Sequence, residues 1–351
     1  MAVSIDFHKT ILGSEYDFLR NDPRLGKNII LLGLGGSHSY GTAVENSDID
    51  IRAVSVRRAR DILLGCDHET VTDDTTDTVI YTFDKILSLL SDCNPNTIEI
   101  LGLKPEHYLV MDDVGKEMVV NADMFLSKKA VNSFGGYACQ QLRRLQLLAS
   151  REVTQAMREE FILATINHAS YTFKEKYGLY PEDGIHLFLD TTEREGFDQE
   201  IFMDINLKHY PLRDWTEMWA EMQQIVHSYN KLGSRNSKAI EHGKISKHQM
   251  HLARLYIMAF DILYDGKIIT YREKEHDFFM DIRNGKYITE SNQPTKEFME
   301  MVNTWEEKLK HAAAHSPLPD KPDYERINRF KAEVNYSVIA DTQFPLMEET
   351  R

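Results

Sequence analysis

Residues 34–54 read LGGSHSYGTAVENSDIDIRAV. The apolar run NIILLGL, residues 28–34, leads into this stretch and ends at glycines, as a buried strand does. Residues 37–47 have too little apolar periodicity for a long helix. DIDIRAVSV, residues 48–56, alternates and is rich in Ile and Val, which predicts a second strand. The stretch therefore reads as strand, Gly36-Ser37 turn, a connection through Gly41, and strand. Side chains alternate along a strand, so Asp48, Asp50 and Arg52 share one face.

Two phosphate loops can be set aside. A P-loop needs Lys after its second glycine; Gly36 and Gly41 have the spacing, but Thr42 stands in that place. A dinucleotide loop started at Gly33 puts His38 where its third glycine belongs. Paired carboxylates repel unless a cation lies between them. Their hard oxygens suit Mg²⁺ or Mn²⁺, which usually bind together with substrate phosphates. Glycines at the preceding turn let backbone N–H groups approach a phosphate, and Ser37 adds a hydroxyl. These parts suit nucleotidyl transfer, with Gly36, Ser37, Gly41 and Arg52 as candidate nucleotide contacts. The bland alternative is a solvated D-x-D at a strand edge beside an ordinary turn.

Further along, TVIYTF (78–83) predicts a third strand and DKILSLLSD (84–92) a helix begun by Asp84. NPNTIEILGL (94–103) predicts another helix, with Asn94 as N-cap and Pro95 in its first position. From about residue 115 the pattern turns helical, most clearly over 246–264, 277–287 and 295–315. Polar loops are expected at 191–200 and 316–323. The outline is a small mixed α/β domain at 1–115 and a larger, mainly helical domain at 116–351.

The totals bound the function. The chain has 351 residues, 42% of them hydrophobic, and a net charge of −14. Wholesale disorder is excluded by that apolar content, and an acidic chain needs a local basic face to bind nucleic acid. No apolar run approaches the roughly 20 residues of a membrane helix. MAVSIDFHKT is no secretory signal. Cys66, Cys93 and Cys139 form neither a zinc spacing nor a disulfide framework, so a cytoplasmic setting is expected.

GGSHSYGTAVENSDIDI (35–51) resembles the signature of the DNA polymerase beta nucleotidyltransferase superfamily. NPNTIEIL (94–101), KHQMHLARLY (247–256), DFFMDIRNGK (277–286) and LPDKPDYERI (318–327) resemble a bacterial and phage branch assigned to RNA repair. The resemblance implies an α+β chain, with a mixed-sheet polymerase-beta-like palm followed by a helical domain. It also implies a third acid beside Asp48 and Asp50. Asp77 is favoured for that metal-binding and catalytic role over Asp73, Asp74 and Asp84, because it immediately precedes the third strand.

Glu99 has two open readings, a partly buried carboxylate in a local salt bridge or an acid facing the nucleotide pocket. Lys247, His251 and Arg254 are spaced to share one helix face, which offers phosphate contacts or a merely solvated surface. Residues 231–247 form a basic segment suited to an RNA strand. Lys128, Lys129, Arg143 and Arg144 surround Phe134, Tyr137 and a Gly-Gly pair. They suggest either nucleic-acid stacking or a helix-turn-helix with a charged outer face. His168 reads as a core histidine. The expected activity moves a nucleotidyl group from an NTP to an acceptor hydroxyl, with Mg²⁺ or Mn²⁺ and release of pyrophosphate. An RNA 3′ end, a protein or a small molecule is the acceptor. A binding module that has lost catalysis is the alternative.

Overall fold

The computed structural model describes residues 6–45, 47–65, 68–149, 154–177, 184–230, 244–290 and 293–341. The chain divides into two compact units. The first comprises Met1–Ser133, Met258–Asp277 and His311–Arg351, and the second Phe134–Ile257 and Phe278–Lys310. This differs from a single cut near residue 115, because two late segments pack on the N-terminal sheet region. Phe330 meets Phe83 edge-on at 5.3 Å, and Thr270 N–H donates to the Gly102 carbonyl at 3.1 Å.

The first unit is built on a mixed sheet. Its strands are β1 (Ile29–Leu34), β2 (Ile51–Ser55), β3 (Thr70–Asp73), β4 (Thr78–Thr82) and β5 (Tyr108–Met111), in the order β3-β4-β2-β1-β5. β2 and β4 run parallel, and the other neighbours are antiparallel. One face buries Leu32, Leu34, Ile51, Ala53, Ile80 and Leu109 beneath Tyr16, Leu19 and Leu25 of the N-terminal segment. Each such Leu or Ile contributes about 1.5–3 kcal/mol by leaving water.

The helix Phe83–Ser91 packs against β2 and β4. Its N-cap is Thr82, whose side chain accepts from Lys85 N–H, and not Asp84 as the sequence suggested. Asp84 is drawn instead into ion pairs with Arg57 at 3.2 Å and Lys331 at 2.8 Å. Asn94 does cap the next helix, which is short: Pro95–Ile98, continued by a tighter turn at Glu99–Gly102.

The second unit corrects the expectation of few strands after residue 115. β6 (Ile185–Thr191) and β7 (Gln199–Ile205) form an antiparallel hairpin around the expected polar loop. Its inner face packs Ile185, Leu187, Ile201 and Met203 with Ile162, Ile166, Met218 and Met222 of two helices, Gln155–Lys176 and Leu212–Asn230. The Gly-Gly pair makes no helix-turn-helix, because Lys129–Ala149 is one continuous helix. Phe134 is buried, and a Cβ on Gly135 would lie 3.3 Å from Leu309, so the small residues let a neighbour approach. The nearby cations also have partners: Lys128 with Asp320, Lys129 with Asp92, and Arg143 with Thr165. The basic segment over 231–243, Cys66 and the His168 side chain lie outside the described residues. No helix among the described residues is long and apolar enough to cross a membrane.

Candidate active site

β1 delivers the chain into a short helix, Gly36–Tyr40, rather than an unstructured turn. Gly35 N–H donates to the Asp50 carbonyl at 2.8 Å, which ties the turn to the entry of β2. Gly36 has φ +56, and a Cβ there would fall 1.8 Å from Asp50 Oδ2. The carboxylate thus fills the space that any side chain at Gly36 would take. Gly41 ends the helix at φ +75, where a Cβ would strike the Tyr271 ring at 2.6 Å. Lys104 Nζ covers that ring at 3.5 Å from its centroid and bonds Glu273 at 3.0 Å.

β2 begins at Ile51, not at Asp48, so both aspartates precede the strand. Alternation still governs them, because Ile49 and Ile51 pack in the core. Asp48 is exposed and Asp50 half-buried. Among the described residues, neither Ser37 Oγ nor the Asp48 carboxylate has a hydrogen-bond or ion-pair partner. Arg52 acts as a brace: Nη2 lies 3.6 Å from Asp50 Oδ1, and Nη1 donates to the Asp77 carbonyl at 2.9 Å.

Asp77 stands beside Asp50 in the backbone, because the parallel pairing starts at Ile51 and Thr78 and Ile51 N–H donates to the Asp77 carbonyl. Its φ is +45, a left-handed turn rather than the extended strand the sequence implied. That turn takes its side chain out of the strand's alternation. Among the described residues no group of three or more acids, histidines or cysteines is placed to hold a metal ion.

Glu99 is buried under the turn, where its carboxylate accepts a short hydrogen bond from the Tyr40 hydroxyl. Thr270 Oγ1 donates to the Glu99 carbonyl at 2.7 Å. Tyr40 escaped the sequence reading, although it is the one large apolar side chain of the GSHSYG turn. Arg272 escaped it as well. Its N–H donates to the Tyr40 carbonyl at 3.3 Å, and its buried guanidinium pairs with Asp261. Nothing in the local sequence links it to the turn.

Lys247, His251 and Arg254 lie in the second unit, on the helix Lys244–Asp265. Lys247 is exposed, while His251 and Arg254 are half-buried. Burial first, then the charges of Arg254, His248, Arg144 and Lys247, push the His251 imidazole down to about 2. It is therefore neutral near pH 7. Its Nε2 is buried and has no hydrogen-bond partner among the described residues.

Residues 15–171 match RlaP, the RNA repair pathway DNA polymerase beta family. That span of RlaP similarity contains the turn, both aspartates, Asp77 and Glu99, whereas Lys247, His251 and Arg254 lie beyond it. The chain is also 26% identical over 320 residues to an uncharacterized 38.9 kDa protein from the nrdC–mobD intergenic region of Enterobacteria phage T4. That similarity covers 82% of this chain and 91% of the phage protein. No solved structure matches. The expected resemblance to the DNA polymerase beta superfamily and the mixed-sheet fold are thus borne out, and polymerase-beta families such as RlaP are typically nucleotidyltransferases.

Proposed function

We propose that the protein transfers a nucleotidyl group from an NTP to an acceptor hydroxyl, an RNA 3′ end, and releases pyrophosphate. The observation that carries this reading is the Asp50 carboxylate seated in the space left by Gly36, with Asp48 one residue from it. A carboxylate held there beside a second one fits a divalent cation, and Arg52 lies 3.6 Å from Asp50. Asp48 and Asp50 would hold Mg²⁺ or Mn²⁺. Such an ion, when bound, neutralises charge on the phosphate oxygens.

The chain's own groups do the rest. Gly36 and Ser37 present backbone and hydroxyl to the triphosphate, and Gly41 against Tyr271 fixes the exit of the turn. Arg52 holds Asp50 and the Asp77 backbone together. Asp77, the next acid along the strand pairing, is our candidate third carboxylate and accepts the proton of the attacking hydroxyl. The new O–P bond forms at the α-phosphorus while the α–β bridging bond breaks. Glu99 acts from below, by holding Tyr40 and hence the short helix. On the second unit by itself, Lys247 and Arg254 around the neutral His251 offer a face suited to an anion.

A binding module without turnover is the second reading. Incubation with labelled NTP, Mg²⁺ and RNA, protein or small-molecule acceptors separates the two. Label transferred by the wild type and abolished in Asp48→Asn supports the enzyme; NTP binding without pyrophosphate release supports the module.

A further inference from the structure

The end of β7 and the start of the helix Leu212–Asn230 border a cavity of about 350 Å³, at the small end of ligand sites. Ile205, Leu207, His209, Tyr210, Leu212 and Trp215 line it. It lies wholly within the second unit and beyond the family match, and the proposed reaction uses none of these residues. Ile205 and Leu212 are 47% and 74% exposed, so apolar wall faces water. Trp215 is stacked on Trp219, with planes 16° apart, which fixes the orientation of its ring.

The polar groups are as specific as the apolar ones. The Tyr210 hydroxyl is shielded from water and has no hydrogen-bond partner among the described residues. A buried hydroxyl left in that state is unfavourable, and a ligand atom that pairs with it relieves the cost. Burial, and then Asp214, raise its pKa, so the phenol stays protonated and able to donate. His209 adopts φ +57, a left-handed conformation that is uncommon outside glycine and concentrates at ligand sites. Residues 206–213, NLKHYPLR, carry Lys208, His209 and Arg213 and no acid, in a chain of net charge −14.

We propose that this cavity binds an unpaired nucleobase of single-stranded RNA, packed against Trp215 and hydrogen-bonded to Tyr210 Oη, with Lys208 and Arg213 near the flanking phosphates. The choice follows from the lining. An aliphatic ligand leaves the Tyr210 hydroxyl unpaired, and a bare anion leaves the apolar wall wet. A base supplies both a π-face and a carbonyl or ring nitrogen, and it brings the anionic backbone that the local cations suit. The inference rests on RNA being the acceptor.

The test is fluorescence anisotropy of a labelled single-stranded RNA on the full chain, without NTP or metal, so that nucleotidyl transfer plays no part. An abasic strand of equal length and a free mononucleotide competitor complete it. The base-bearing strand should bind at least about tenfold more tightly than the abasic one, and Trp215→Leu should remove that preference. Tyr210→Phe keeps the ring and should weaken base-bearing RNA about fivefold, with the abasic strand unaffected. Competition by the mononucleotide would identify the base itself as the ligand, whatever carries it. Equal binding of both strands, or full affinity in Tyr210→Phe, overturns the proposal. A protein that discriminates the two strands yet transfers no label overturns only the transfer reading.

Discussion

At the Gly36–Asp50 turn, carboxylates gather where bare backbone makes room for them. Along Lys247–Arg254, cations surround an imidazole that stays neutral. The first region is defined by geometry: Gly36 admits the Asp50 oxygen and Gly41 admits Tyr271, so even a methyl group has no place. The second is defined by burial and then by field, since desolvation first, and then Arg254, His248, Arg144 and Lys247, act against protonation of His251. Taken by itself, the turn concentrates negative charge; taken by itself, the helix face concentrates positive charge.

The geometric region should break hardest. Asp48→Asn with Asp50→Asn should lower nucleotidyl transfer by about 10²–10³-fold or more, while the thermal melt stays near wild type. Gly36→Ala should approach that loss, because its methyl displaces the Asp50 carboxylate. Wild-type turnover in Gly36→Ala would remove the cradle from the account. Asp77→Asn should cost about 10–100-fold in steady-state rate, the range expected of a group that supports a metal site. An unchanged rate would leave only its backbone, which Arg52 and Ile51 bind, with a role.

Tyr40→Phe removes a donor from the buried Glu99 carboxylate and should lower stability by about 1–3 kcal/mol in urea unfolding. Retention of full stability would mean that the Tyr40 hydroxyl does not hold Glu99 in place. The region around His251 should respond to pH instead. The unfolded chain protonates this histidine near 6.5, whereas the folded one holds it neutral down to about 2. Its contribution is therefore complete above pH 6.5 and declines below it by about 1.4 kcal/mol per pH unit. His251→Asn should flatten that part of the urea-unfolding profile. An unaltered slope would show that other groups carry the acid sensitivity.

Much of the first region could be read from the chain because its constraints are local. Gly36, Ser37, Asp48 and Asp50 fall within one short stretch, and the Ile49/Ile51 alternation fixes which way the acids face. The sequence could not reveal that Asp77 leaves the strand through a left-handed turn, since its neighbours still have the pattern of a strand entry. Tyr40–Glu99 and Arg272–Tyr40 are contacts between distant segments, and nothing periodic marks them. The β6–β7 hairpin was hidden for a different reason. Its outer face carries His186, Asp190, Glu200 and Asp204 among its aromatics, so the strands resemble polar connection. The cations of Lys128–Arg144 look available for nucleic acid in the sequence, but Lys128, Lys129 and Arg143 have partners within the fold.

The most direct measurement of the central claim is pyrophosphate release by the full chain with Mg²⁺, single-stranded RNA and each α-labelled NTP in turn. The account predicts pyrophosphate and RNA-bound label in equal amounts from the wild type, and neither from Asp48→Asn with Asp50→Asn. A wild-type protein that binds NTP but releases no pyrophosphate, or a double variant that labels RNA at the wild-type rate, would contradict it.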